Sequence, residues 1–374
     1  MSTLPFQHLL VLEPLGLLYG SSGRMLSPEA LTGRASEHFP PDSPTLAGLI
    51  GSQLKRGANP TNQASPIREL FTAGPFCFDT VADDLWLPAP FTLLQHQERE
   101  DREPFLHRLH WHPSGEAGGS GSWRTVNGAP MPRKTRTGGW IALRQWPLLR
   151  DPSDSAALEG GLRLHRDPWQ AVPHLHPRLC DAERVSAGDD ALFLEYGIAL
   201  KPGFRLAYLS SQSLPDGRYR FGGEGHLVEL RCLAIPKELQ DLLLEPLDGA
   251  FALITPGLWG GPRLSRRDPL DSHHRPAIQP WHRHGVPPAI LTERPRPWRH
   301  QLGSADPRRP RRLSRGRWAL PAGTCYRVAN GLPPWVAWPE TWFPKEGFSF
   351  KQLGTALALP LHVPSSSCTP ANMA

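Results

Sequence analysis

The stretch Phe204–Ile235, FRLAYLSSQSLPDGRYRFGGEGHLVELRCLAI, carries the fold reading. Phe204–Ser210 reads as a strand, Pro215-Asp216-Gly217 as a turn, and His226–Ile235 as a further strand. Just upstream, Leu192–Leu200 is another strand. Downstream, Pro236 opens a helix with Leu239, Leu242 and Leu243 on one face, and Phe251–Thr255 returns as a strand. This βαβ rhythm with antiparallel hairpins indicates an α+β fold. The commonest small solution is the ferredoxin-like (RRM-like) split βαβ.

The first half repeats the theme without an evident sequence repeat. Phe6–Leu12 reads as a buried strand closed by Pro14, followed by a loop through Gly20, Ser21, Ser22 and Gly23. Ser43 is placed to cap a helix that has Pro44 at its first position, Leu46, Leu49, Ile50 and Leu54 on one face, and Gly57 at its end. Lys55 and Arg56 close that helix, where the helix dipole favours cations; phosphate contact is the alternative role. Gly74–Thr80 and Leu85–Leu87 form a hairpin around Ala82-Asp83-Asp84. The stretch from about 110 to 138 reads as a mobile basic loop holding Arg133, Lys134 and Arg136. Gly139–Leu143 then resumes a strand. With 374 residues and roughly 150 per domain, two modules are expected, over 1–150 and 151–374.

The net charge of +6 conceals an uneven distribution. Arg263–Arg317 holds 14 arginines, no lysine and 4 acidic residues, so this one segment makes the whole chain basic. A local excess of that kind is the footprint of a polyanion partner. The same segment carries 9 prolines and is expected to be a loop or partly disordered insert without a core. Five single cysteines without a CxxC pair argue against a zinc ribbon or a disulfide framework and fit a reducing cytoplasm. No signal peptide and no membrane span are expected.

The P-loop, HExxH, GxSxG and strand-linked GxGxxG patterns are absent, so no cofactor is expected and the enzyme reading is weakened. His273, His274, His282 and His284 sit in an Arg-rich setting that repels a cation, so no metal site is expected. Gly222-Gly223-Glu224-Gly225 with His226 joins two strands. It is either a plain hairpin turn or a place where exposed backbone N–H groups receive a nucleic-acid backbone. Trp281, Trp298 and Trp318, interleaved with arginine, suit stacking on unpaired bases or anchoring of a protein partner.

Several stretches resemble, in order and spacing, the RAMP superfamily of CRISPR-associated proteins, and within it the type III-B (Cmr complex) subunit that holds the 5′ end of the guide RNA. They are Leu12–Leu15, Gly23-Arg24, Phe39–Pro41 with Thr45–Gly48, Pro88-Ala89-Pro90, His176-Pro177-Arg178 with Glu183-Arg184-Val185, Phe221–Gly225, Leu253–Gly257 and Pro321–Tyr326. The resemblance implies two ferredoxin-like modules that bind the 5′ tag of the CRISPR RNA and dock on the large cyclase subunit and the backbone subunits, meeting target RNA only indirectly. It implies a scaffold and not a nuclease. The RNA-binding surfaces it and the charges mark are Arg24, Thr45, Lys55, Arg56, Arg133, Lys134, Arg136, Arg178, Arg184, Gly222, Gly223, Glu224, Gly225 and His226. The competing reading is a metal-independent RAMP endoribonuclease that processes CRISPR RNA, with His8, His38 or His226 as general base. The Arg-rich insert exceeds the family's pattern and takes no role from it.

Overall fold

The computed structural model describes residues 3–19, 39–57, 69–96, 106–113, 121–132, 135–150, 161–177, 192–260, 265–278, 289–302, 312–328 and 331–361. β1 (His8–Pro14) buries both of its faces, Leu10 and Leu12 on one and Leu9 and Val11 on the other. That explains the continuous apolar run in its sequence. α1 (Ser43–Gly57) covers the first face, setting Leu46, Leu49 and Ile50 against Leu10, Leu12, Tyr208, Phe221, Val228 and Leu230. The Ser43 hydroxyl does not cap this helix; it donates to the Leu353 carbonyl and ties the helix start to the far end of the chain.

β2 (Thr72–Asp79) and β3 (Asp84–Pro88) form the expected hairpin, whose turn is held by Asp79 Oδ1 accepting from the Val81 and Ala82 amides at 2.9 and 3.1 Å. The stretch read as a mobile basic loop is built differently. β4 (Leu93–His96), β5 (Leu106–Pro113), β6 (Gly121–Thr125) and β7 (Thr135–Arg136) make a four-stranded sheet in the order β6-β5-β4-β7. Trp111 and Trp123 meet across β5 and β6 edge to face, with centroids 5.5 Å apart. β8 (Trp140–Ala142) follows, and β9 (Trp169–Pro177) pairs with β10 (Leu192–Leu200) as a separate ribbon.

β11 (Phe204–Ser210), β12 (Gly217–Phe221) and β13 (His226–Ala234) complete a seven-stranded sheet in the order β12-β13-β1-β11-β2-β3-β8, every neighbour antiparallel. Within it β13-β1-β11-β2 runs fourth, first, third, second in chain order. This sheet takes strands from both sides of residue 150, so the boundary expected there falls across a sheet and not between sheets.

α2 (Lys237–Leu244) leads from β13 to β14 (Ala250–Leu253). The expected βαβ therefore links two different sheets, because Leu239, Leu242 and Leu243 enter a core shared by both. Five strands follow: β15 (Ile290–Leu291), β16 (Arg296–Trp298), β17 (Gln301–Leu302), β18 (Arg312–Leu313) and β19 (Arg317–Ala319). β20 (Cys325–Arg327) and β21 (Ala358–Pro360) then complete a four-stranded sheet in the order β15-β20-β14-β21 with β14 and β15. Read from β21, this too runs fourth, first, third, second. One apolar cluster joins Leu9, Val11 and Phe76 of the first sheet to Phe251, Tyr326 and Leu359 of the second.

The Arg-rich segment is thus not wholly a loop. Its described residues supply β15 to the second sheet and bury Ile278, Ala289 and Trp298. Cys77 and Cys325 are buried free thiols, and burial pushes Cys325 up to about 12. Among the described residues no helix is long and apolar enough to cross a membrane.

Candidate nucleic-acid interface

The β12–β13 hairpin projects the glycine-rich turn from the edge of the large sheet. Phe221 is buried beside Tyr208, ring centroids 6.1 Å apart, and anchors the turn in the α1 core. Gly222 and Gly225 hold φ of +79° and +69°, a region that favours glycine, and the Gly225 amide closes the turn on the Gly222 carbonyl at 3.2 Å. Gly222, Gly223 and Glu224 are exposed, and a Cβ at Gly223 would meet nothing within 4 Å. A Cβ at Gly222 would stand 3.9 Å from Thr45 Cγ2. The turn therefore overlies the first turn of α1, bringing together two stretches 177 positions apart in the sequence.

Two residues that the sequence did not mark complete the constellation. The Tyr19 amide donates to His226 Nε2 at 3.2 Å, and the two rings stack with centroids 5.5 Å apart and planes 27° from parallel. Tyr19 Oη lies 3.0 Å from His174 Nδ1 on β9. Nothing in the local sequence of Tyr19 or His174 signals this, since the three rings meet only through sheet pairing: Leu18 bridges to Ile198 on β10, and β10 carries β9. On the edge strand, Arg218 and Arg220 are exposed, with Arg220 Nη1 3.5 Å from the Gly225 carbonyl. Backbone donors, an aromatic pair and the Arg220 guanidinium thus meet at one hairpin end, with Arg218 farther along the edge strand opposite Glu229. Such a set suits an unpaired nucleotide, with a base against the rings and phosphates on the donors.

The other marked residues fall elsewhere. Lys55 and Arg56 close α1 at the end opposite Thr45, about 15 Å along the helix axis at 1.5 Å per residue; their side chains are not among those described. Arg136 lies on β7, where its Nε and Nη2 both donate to Gln95 Oε1 at 3.0 and 2.6 Å. Arg24, Arg133, Lys134, Arg178, Arg184, His38, Trp281, His282 and His284 lie outside the described residues. His8 pairs with Ala234 while Pro14 pairs with Val228, so His8 and His226 stand at opposite ends of the β1–β13 pair, eight residues and about 26 Å apart along β13. The lone pair of His226 Nε2 is occupied by the Tyr19 amide. His273 and His274 belong to a turn closed on Asp271, and the described residues contain no group of three or more His, Cys, Asp or Glu that could hold a metal.

The tryptophans divide. Trp298 is only 3% exposed and packs on Phe350 at 5.3 Å, which removes it from any stacking role. Trp318 is 57% exposed.

Several of the resembling stretches meet in the interior. The Phe91 amide, next to Pro88-Ala89-Pro90, donates to the Gly323 carbonyl at 2.8 Å. The Gly323 amide in turn donates to Leu253 at 2.7 Å, and Thr255 Oγ1 donates to Gly354 at 2.6 Å. These stretches tie the two sheets together, with Pro88, Pro321 and Ala322 half-buried and the rest of their described residues buried.

The sequence profile of the family described as CRISPR-associated protein (Cas_Cmr3) matches residues 22–344. The chain belongs to this family. It is accordingly a subunit of a type III-B CRISPR effector. No curated protein matches the chain. Among solved structures, a chain of the cryo-EM structure of the type III-B Cmr-beta bound to cognate target RNA is similar at 12% identity, with 85% of this chain and 86% of that one covered and a TM-score of 0.45. A chain of the Csm3-Csm4 subcomplex from the type III-A CRISPR-Cas interference complex is similar at 9% identity, with 87% and 94% covered and a TM-score of 0.34.

Proposed function

We propose that this Cas_Cmr3 family member is a non-catalytic RNA-binding subunit that holds the 5′ tag of the CRISPR RNA and bridges the large cyclase subunit and the backbone subunits of its effector in the cytoplasm. The observation that carries the reading is the open Gly222–Gly225 turn lying over Thr45 beside the stacked Tyr19–His226 pair. Exposed backbone donors and ring faces recognise splayed nucleotides in a way that a helical surface does not. The two sheets, which contain the strand order fourth-first-third-second with antiparallel neighbours, support two ferredoxin-like modules, although β12 and its turn occupy the connection between β11 and β13 where the second helix of the first module would lie. The endoribonuclease reading has less support, because His8 and His226 cannot act together and His226 Nε2 is already hydrogen-bonded.

The test uses the purified chain and CRISPR RNA whose tag is intact, scrambled or removed, at two salt concentrations. Gly223→Asp adds a carboxylate in open space, so the fold is expected to stand while tag affinity falls about tenfold through repulsion of phosphate. Tag-blind binding by the unaltered chain overturns the reading. Cleavage that disappears with His8→Ala or His226→Ala replaces it with the nuclease.

A further inference from the structure

The antiparallel ribbon of β16 and β19 sets Pro297 directly opposite Trp318. Its inner face is electrically matched: Arg296 pairs with Asp42 at 3.2 Å, and Arg317, beneath the ribbon, pairs with Glu346. On the outer face Pro297 and Trp318 are exposed, and among the described residues Trp318 is the one aromatic side chain left largely in solvent. The Trp318 amide donates to Ser265 Oγ at 2.8 Å, which brings the exposed Arg266 and Arg267 alongside. The Arg266 amide is pinned on the Trp259 carbonyl at 3.2 Å, and Arg299 Nε is held on the Ser314 carbonyl at 3.1 Å. Arg315 is exposed at the other end of the ribbon. The guanidiniums of Arg266, Arg267, Arg299 and Arg315 have no carboxylate partner among the described residues, although the Arg315 amide donates to the Glu346 carboxylate at 3.2 Å.

A solvated tryptophan face on a two-stranded ribbon, flanked by exposed arginines without carboxylate partners among the described residues, differs from an apolar docking patch. A protein partner would be expected to meet more apolar area; here the neighbours are cationic and the ring is isolated. Stacking is sequence-tolerant because every base has a π face, and arginine supplies the backbone contact. We propose that this ribbon is a second contact for single-stranded RNA, in which the Trp318 indole stacks one unpaired base while Arg266, Arg299 and Arg315 hold the flanking phosphates. The contact takes its partner class from the RNA-binding reading above, but it reads no tag sequence and uses different residues.

The experiment uses the full chain and an oligouridylate that contains 5-bromouridine and lacks the tag. Irradiation is expected to crosslink the probe to the peptide bearing Trp318. Trp318→Ala is expected to weaken oligouridylate binding by about fivefold to a hundredfold, the span of one lost base stack, and Trp318→Phe to retain most of the affinity. Arg266→Ala with Arg299→Ala is expected to flatten the salt dependence by about one to two phosphate contacts. Wild-type affinity in Trp318→Ala, or a crosslink confined to other peptides, overturns the proposal. So does loss of association with partner subunits at unchanged RNA affinity, which makes the ribbon a protein-docking element. The two readings fail separately: Gly223→Asp is expected to lower affinity for the tag about tenfold and spare oligouridylate binding, and Trp318→Ala to weaken oligouridylate binding and spare tag preference.

Discussion

Arg317 shows how a single side chain in this protein is tied to one neighbour. Its side chain is 3% exposed, its guanidinium carbon lies 4.7 Å from the Phe350 ring centroid, and Glu346 is its counter-ion. Removing one member of a buried pair leaves an uncompensated charge, so Glu346→Gln is expected to cost about 3–5 kcal/mol, read as a lowered urea midpoint. His300 sits in the same pocket, 5.0 Å from the Trp298 ring and 5.6 Å from Phe350, and neither ring nitrogen has a hydrogen-bond partner among the described residues. Burial lowers its pKa to about 4, with Glu346 and Asp42 opposing the shift and Arg317 adding to it. The native state therefore keeps this imidazole neutral where the unfolded chain, with an ordinary value near 6.5, protonates it. Stability is expected to hold above about pH 6.5 and to fall as pH drops from there towards 4. His300→Phe is expected to remove that portion of the slope, as followed by urea unfolding at several pH values.

At the scale of elements, the glycines separate by their surroundings. Gly323 has φ of +95°, and a Cβ there would lie 2.6 Å from the Ala89 carbonyl oxygen and 2.8 Å from the Phe91 ring. Gly323→Ala is expected to destabilise by at least about 2 kcal/mol, from backbone strain and overpacking together, and to lower Tm. Gly223→Ala, set in open space, is expected to leave Tm unchanged. Sequence alone marks both residues as parts of resembling stretches and does not separate the structural one from the exposed one. Their roles differ only because the β3–β4 connection passes over Gly323 and nothing passes over Gly223. The β5–β6 hairpin was illegible for a related reason. Its strands carry His107, Arg108, His110 and His112, and a Gly-Ser run separates them, so composition reads as a linker. Pairing of Trp111 with Trp123 and cover by β4 supply the missing burial.

For the whole molecule, the decisive feature is that β1, β2, β3 and β8 share a sheet with β11, β12 and β13. Fragments 1–150 and 151–374 each lack part of that sheet and part of the joint core. Neither fragment alone is expected to give native-like near-ultraviolet circular dichroism, and co-expression is expected to restore it together with a stable fragment pair on size exclusion. The tie between α1 and the arginine-rich ribbon belongs to this scale as well. Asp42→Asn weakens the pair with Arg296 and is expected to raise hydrogen exchange in both the α1 start and the β16–β19 ribbon, because that pair joins the two beside the packing of Ala47 on the Trp298 cluster.

What the sequence determined by itself is local. Apolar spacing marks β1, α1, the β2–β3 hairpin, β11, β13 and α2, and the glycine-rich turn is visible because glycines cluster only where backbone conformation or close approach demands them. The basic character of one segment, and the order of short stretches that places the chain in its family, are likewise written in the sequence. Tertiary structure decided which of those stretches meet. Strand pairing between residues nearly two hundred positions apart put Tyr19 and His174 beside His226, laid the turn over Thr45, buried Trp298 and left Trp318 in solvent. The physical reason is that periodicity records which face of an element is apolar, whereas the partner that covers that face is chosen by the packing of the whole chain.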